Sequence, residues 1–112
     1  MKKDPKYFLL HIVDSIDLIT RYTKEVSFEE FKKSQEVQDA VLRRLEIIGE
    51  ATKNIPEDIR TNNKDIPWNF MAGMRDVIIH EYFGVNVETI WKTAKEDLPD
   101  LKNKIKKLID SL

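Results

Sequence analysis

Between Arg75 and Tyr82 the chain carries a guanidinium, a carboxylate, an imidazole and a phenol: Arg75, Asp76, His80 and Tyr82, in the stretch MAGMRDVIIHEY. Side chains of these types can bind an anion and move a proton. On a helix turning roughly 100° per residue, Met71, Arg75, Ile78 and Tyr82 share one stripe, and Gly73, Asp76 and His80 share another. Asp76 and His80 stand four positions apart, where a carboxylate can hold an imidazole and fix its tautomer. Arg75 lies about 140° around the axis from His80. The pair therefore spans a face, and a small anion docked there could meet both.

The plainer reading of the same residues is structural. An Arg–Asp pair on a helix is commonly a solvated contact, and a histidine near a helix end stabilises the dipole. Two features weigh against it. Arg75 falls on an apolar stripe, where an unpaired charge is expensive. The polar groups also follow Trp68, Met71 and Met74, which read as core. Gly73 adds a third expectation: glycine inside a helix costs about 1 kcal/mol against alanine. Its presence on the stripe of His80 predicts close approach by another helix or a ligand backbone, as a helix–helix cleft across a dimer would want. His11, the other histidine, reads as a surface or interface residue.

The elements that would position these groups are helical throughout. Three glycines and four prolines punctuate the chain, and no stretch alternates as a strand would. Asp4-Pro5 predicts an N-cap and first helical position, opening a helix to about Lys24 with Leu9, Ile12, Ile16 and Ile19 inward. Ser27 and Glu30 form a capping box at the head of a long second helix, buried along Val37, Val41, Leu45, Ile48 and Ala51 and closed by Pro56. PEDIRTNNKDIP reads as a connecting loop. Pro67 opens the third helix, which ends near Tyr82-Phe83 with Gly84 as its stop. Asn86 caps a short fourth helix, and Asp97-Leu98-Pro99 starts the last, with Leu101, Ile105, Leu108 and Ile109 inward. The expected fold is all-α: a small four- to five-helix bundle, two long antiparallel helices plus shorter ones, in one domain over residues 1–112.

Composition narrows the function. The 112 residues are 41% hydrophobic and 35% charged, with a net charge of −1. That balance argues against coating nucleic acid non-specifically; no DNA partner is expected. Lys102, Lys104, Lys106 and Lys107, with Arg43 and Arg44, could form a local basic patch or a solvated face. The chain has no cysteine, hence no disulfide framework or thiolate metal site. Two histidines and few carboxylates around His80 leave no set suited to a transition metal. No apolar run approaches the ~18 residues of a membrane span, and Asp4, Asp14 and Asp17 break any signal-peptide pattern, so a cytoplasmic location is expected. Abundant lysine and glutamate resemble the usage of heat-tolerant proteins.

The stretch IPWNFMAGMRDVIIHEYFGVNVETIWKTAKEDLPDLKNKI, Ile66 to Ile105, resembles the HepT-like branch of the HEPN superfamily. The upstream LEIIGEATKNIPEDIR, Leu45 to Arg60, is similar to that family's second helix and following loop. The signature is an arginine, four residues, a histidine, one residue, a tyrosine: Arg75, His80 and Tyr82. Spacing alone would be a weak match; the tryptophan, the G-M-R junction, the EYFGV exit and the EDLP start of the last helix make it specific. The resemblance covers nearly the whole chain.

The resemblance implies a HEPN-like bundle and a metal-independent endoribonuclease without cofactors. It implies the toxin of a type VII HepT/MntA toxin–antitoxin pair, a homodimer whose Arg/His motifs face a shared cleft. It further implies an MntA-like nucleotidyltransferase antitoxin that transfers AMP onto the motif tyrosine, which is Tyr82. Chemistry agrees with this. RNA supplies its own nucleophile, the ribose 2′-OH; a positioned base can take its proton and a cation can stabilise charge on the phosphate. In these roles His80 is the base (or the acid, in the partner site), Arg75 clamps the phosphate, and Asp76 orients His80. The products would be a 2′,3′-cyclic phosphate and a 5′-hydroxyl. The competing expectation is a non-catalytic helical module that partners a nucleotidyltransferase, with Arg75 and His80 holding a nucleotide or the dimer. The near-neutral charge favours that alternative, since an RNA-cutting dimer would welcome more basic surface.

Overall fold

The computed structural model describes residues 3–80 and 86–112, with the backbone alone for residues 76–80. Its elements are α1 (Pro5–Thr23), α2 (Phe28–Lys33), α3 (Gln35–Lys53), α4 (Glu57–Asn62), α5 (Trp68–His80), α6 (Val87–Lys92) and α7 (Leu98–Ser111). The described residues form no strand, so the all-α expectation holds.

α1 begins as its sequence requires. The Asp4 carboxylate accepts from the Lys6 N–H at 2.9 Å, with Pro5 at the first helical position. Its stripe of Leu9, Ile12, Ile16 and Ile19 is fully buried. The C-terminal end is closed from afar: Lys95 Nζ donates to the Thr23 carbonyl at 2.7 Å, supplying a cation to the negative end of the helix dipole.

The long second helix is in fact two. The capping box is present: Glu30 N–H donates to Ser27 Oγ and Ser27 N–H to the Glu30 carboxylate. But α2 stops at Lys33. Ser34 is extended, and its hydroxyl accepts from Val37 N–H at 3.2 Å, starting α3 afresh. Gln38 reaches back with its Nε2 to the Phe31 carbonyl at 2.8 Å, so the break leaves that end group satisfied. The bend lets Phe31 enter the core fully buried, against Trp91 at 5.1 Å between ring centres.

α3 carries Val41, Leu45, Ile48 and Ala51 inward as expected, with Val37 half-buried. It ends at Lys53, before Pro56. The segment expected as loop contains α4. Glu57 and Asp58 stand in its first turn and Arg60 in its last, charges placed as the dipole prefers. Asn63 Nδ2 donates to the Ile59 carbonyl at 2.8 Å. The Asn-Asn pair thus ends a short helix instead of extending a loop.

α5 follows Pro67, whose carbonyl accepts from Met71 N–H at 3.1 Å; Trp68 Nε1 donates to the Asn63 carbonyl at 3.0 Å. The expected stop at Tyr82 to Gly84 lies outside the described residues. Asn86 caps α6 through Glu88 and Thr89 N–H. The last two expected helices are joined without a break by a π-helical turn, Thr93–Asp97, in which Leu98 N–H donates to the Thr93 carbonyl. Pro99 has no N–H for the Lys95 carbonyl, and its ring would crowd that group in a regular turn; a widened turn is a common accommodation.

In the bundle, α3 packs between α1 and α5, and α7 covers the other side of α1. α1 and α3 run antiparallel, since Tyr7 and His11 lie beside Glu50 and Asn54. Lys102 Nζ meets Asp17 at 2.6 Å, joining α7 to α1.

Candidate active site

Arg75 is where α5 meets α3, and one residue decides how closely. A Cβ built on Gly49 would lie 2.6 Å from the Arg75 backbone nitrogen and 2.7 Å from the Arg75 Cβ. No real Cβ sits that near, so only glycine at position 49 permits this crossing. α3 therefore accepts the roughly 1 kcal/mol handicap of a mid-helix glycine in return for contact between the two helices at the arginine.

The next residue of α3 engages the side chain. Glu50 Oε2 lies 2.7 Å from Arg75 Nε, with the arginine side chain 36% exposed and the glutamate 58%. Arg75 does lie on an apolar stripe, with Met71 fully buried one turn before it, and its charge is met by a carboxylate from the neighbouring helix.

From Arg75 a groove of about 360 Å³ runs between the N-terminal half of α1 and the C-terminal half of α3. Tyr7, His11, Arg43, Glu46, Glu50 and Asn54 line it. His11 is an exposed residue, as expected, and stands edge-on to Tyr7 with ring centres 4.5 Å apart. Arg43 is paired with Glu46 at 3.6 Å. The groove thus offers aromatic edges and amide and guanidinium donors, with carboxylates beside both arginines.

Of the residues the sequence singles out, Arg75 is placed on this groove. Asp76 and His80 lie on the continuous α5 backbone, so their four-residue spacing is a helical one; their side chains lie outside the described residues. Tyr82 lies outside them entirely. Among the described residues of the single chain, a Cβ on Gly73 would meet nothing within 4 Å, so any close approach there belongs to a second subunit or a ligand. Within the chain, the close helix–helix approach occurs at Gly49, which faces the crossing helix. Part of the basic set is tied up in local contacts. Lys102 meets Asp17, and Lys104 meets Asp100 at 3.5 Å and the Asp65 carbonyl at 3.1 Å. Among the described residues, no group of three or more His, Asp or Glu could hold a metal ion, and no helix is long and apolar enough to cross a membrane.

Sequence reasoning missed Gly49 and Glu50. The signal was available: a glycine in mid-helix between Ile48 and Glu50 invites the argument applied to Gly73. Which glycine faces a neighbour is not visible from periodicity.

A family description, "Ribonuclease HepT-like", matches residues 12–108, a span that holds Glu50, Arg75, Asp76, His80 and Tyr82. This chain belongs to the HepT-like ribonuclease family. The "Probable ribonuclease HepT" of Thermococcus cleftensis is 52% identical over 108 residues, 96% of this chain and 98% of that protein. A Methanocaldococcus jannaschii protein named "Gamma-glutamylcyclotransferase and putative RNase MJ0434" is 47% identical over 112 residues, all of this chain but 50% of that one. In that protein a HepT-like segment therefore shares a polypeptide with as much sequence again. "Putative RNase MJ0125" of the same organism is 46% identical over 111 residues, 99% of this chain and 96% of its own. No solved structure gives a significant match. Membership of the HepT-like family bears out the resemblance seen in the motif and the bundle expected from it.

Proposed function

We propose that this HepT-like protein is a metal-independent endoribonuclease and the toxin of a toxin–antitoxin pair. The observation that carries the reading is the family match across Arg75, His80 and Tyr82, with Arg75 standing half-exposed at a groove. The names of the relatives, each of which includes the word ribonuclease or RNase, support it.

In the proposed reaction His80 removes the proton of a ribose 2′-OH. The oxygen attacks the adjacent phosphorus, the P–O5′ bond breaks, and the departing 5′-oxygen takes a proton from the second acid of a symmetric site. The chain ends as a 2′,3′-cyclic phosphate on one side and a 5′-hydroxyl on the other. Arg75 stabilises the extra negative charge of the pentacoordinate phosphorane, where a guanidinium outperforms an ammonium by its planar fork. Asp76, one turn before His80, sets the imidazole tautomer. The nucleophile belongs to the substrate, so no step requires a metal.

Regulation in this reading falls on Tyr82. A nucleotidyltransferase antitoxin directs the phenol oxygen onto the α-phosphorus of ATP, and pyrophosphate leaves. The AMP ester adds a bulky anion seven residues from Arg75, which excludes RNA and competes for the cation. The working unit is a cytoplasmic homodimer with paired motifs in one cleft.

The deciding experiment is cleavage of RNA by purified protein in excess EDTA, with product ends analysed. Cyclic-phosphate ends are expected; strict need for a divalent ion would defeat the proposal, and an intact RNA under all conditions would favour the non-catalytic nucleotidyltransferase partner instead.

A further inference from the structure

Two consecutive residues of α3 act on Arg75 in different ways. Gly49 sets the distance between the helices at the Arg75 backbone, and Glu50 meets the Arg75 side chain at Nε. An exposed ion pair of this kind contributes at most about 1 kcal/mol to folding. With 58% of the glutamate side chain exposed, stability is a poor reason for it. Its electrostatic effect on a polyanion is unfavourable as well, because it sets a carboxylate beside a phosphate-binding cation. What it does supply is orientation. A free arginine side chain has roughly 2 kcal/mol of rotamer entropy, and a guanidinium held at Nε by a neighbouring helix has already lost much of it. Preorganised charge acts on a transition state without reorganisation during the reaction.

We propose that Glu50 is a positioning residue for the ribonuclease reaction, anchoring the Arg75 guanidinium at the mouth of the α1–α3 groove so that it meets the phosphorane in one orientation. This rests on the reading of Arg75 as the phosphate-binding cation. A positioning role and an anionic charge make a combined signature. Removing the carboxylate loosens Arg75, which lowers kcat; it also removes a repulsion toward RNA, which leaves KM unchanged or lower.

The test is steady-state cleavage of a defined RNA by the intact wild-type protein and by Glu50→Ala, Glu50→Gln and Arg75→Ala, with thermal unfolding of each. Glu50→Ala should lose kcat by roughly ten- to a hundredfold at an unchanged or lower KM. Glu50→Gln, whose amide oxygen still accepts from Nε, should recover a large part of that loss. Unfolding temperatures should match wild type. If Glu50→Ala keeps its kcat while KM falls, the glutamate is only a competitor for Arg75 and the inference is overturned. It is overturned equally if Glu50→Gln is as impaired as Glu50→Ala, or if the loss follows a lowered unfolding temperature. Arg75→Ala separates the two layers: full activity there defeats the functional reading itself, whereas an inactive Arg75→Ala beside a normal Glu50→Ala defeats the positioning role alone.

Discussion

Gly49 lies directly beneath Arg75, with the space for a Cβ on α3 already taken by the backbone nitrogen and Cβ of the arginine on α5. The two helices therefore touch through backbone at the residue proposed to bind phosphate. Side chains can rotate away from a clash; backbone atoms cannot, so this crossing has little freedom to adjust.

Gly49→Ala is accordingly expected to destabilise the fold by about 1–3 kcal/mol, the usual range for over-packing, despite alanine's better helix propensity. Urea unfolding should show a lower midpoint at an unchanged slope, and RNA cleavage should fall with it as Arg75 shifts.

Gly73→Ala should do the reverse. No described residue lies within 4 Å of the added methyl, so the gain in helix propensity, about 0.5–1 kcal/mol, should appear undiminished in thermal unfolding of the monomer. Sedimentation of the same variant tests the dimer cleft expected from the sequence. If a second subunit packs against Gly73, association weakens while the single chain becomes more stable.

Arg75→Ala and His80→Ala should each abolish cleavage and growth inhibition with little change in helical content, read by circular dichroism. Arg75→Lys should remain strongly impaired. An ammonium keeps the charge but cannot reproduce a planar, bidentate grip on phosphate, and it reaches Glu50 differently.

Tyr82→Phe should retain RNA cleavage and lose modification. Incubation with a cognate nucleotidyltransferase and ATP should add one AMP per wild-type chain by intact mass and none to the variant, which should then resist silencing in cells.

Ser34→Ala removes the hydroxyl that accepts from Val37 N–H at the start of α3. A loss of about 1 kcal/mol is expected, seen as an unfolding temperature lower by roughly 4–8 °C for a domain of this size.

Much of the bundle was legible because its signals are local. The Asp4-Pro5 start, the Ser27–Glu30 capping box and the Asn86 cap depend on side chains reaching backbone groups two or three residues away. The buried stripes of α1, α3 and α7 follow from helical periodicity alone. The break at Ser34 was harder, since the apolar spacing continues across it and a serine within a helical pattern carries no unique meaning. α4 was hidden by its polarity: it buries little, and the Asn-Asn and proline residues beside it are equally at home in a loop. The π-turn at Thr93–Asp97 is a response to Pro99 within a chain that packs on both sides, and proline at a helix start reads the same whether or not another helix precedes it.

The candidate site divides along the same line. By itself the sequence determined the motif spacing of Arg75, His80 and Tyr82, the helix that carries Arg75 and His80, and the family to which the chain belongs, because spacing along one helix is a property of covalent geometry. Only the tertiary structure decided that α3 supplies Arg75 with a carboxylate partner and that, within the chain, Gly49 is where α3 and α5 approach closely. Those facts depend on which faces of two helices meet and at what distance, and that is settled by the packing of the whole bundle, where residues twenty-five or more positions apart in the chain come into contact.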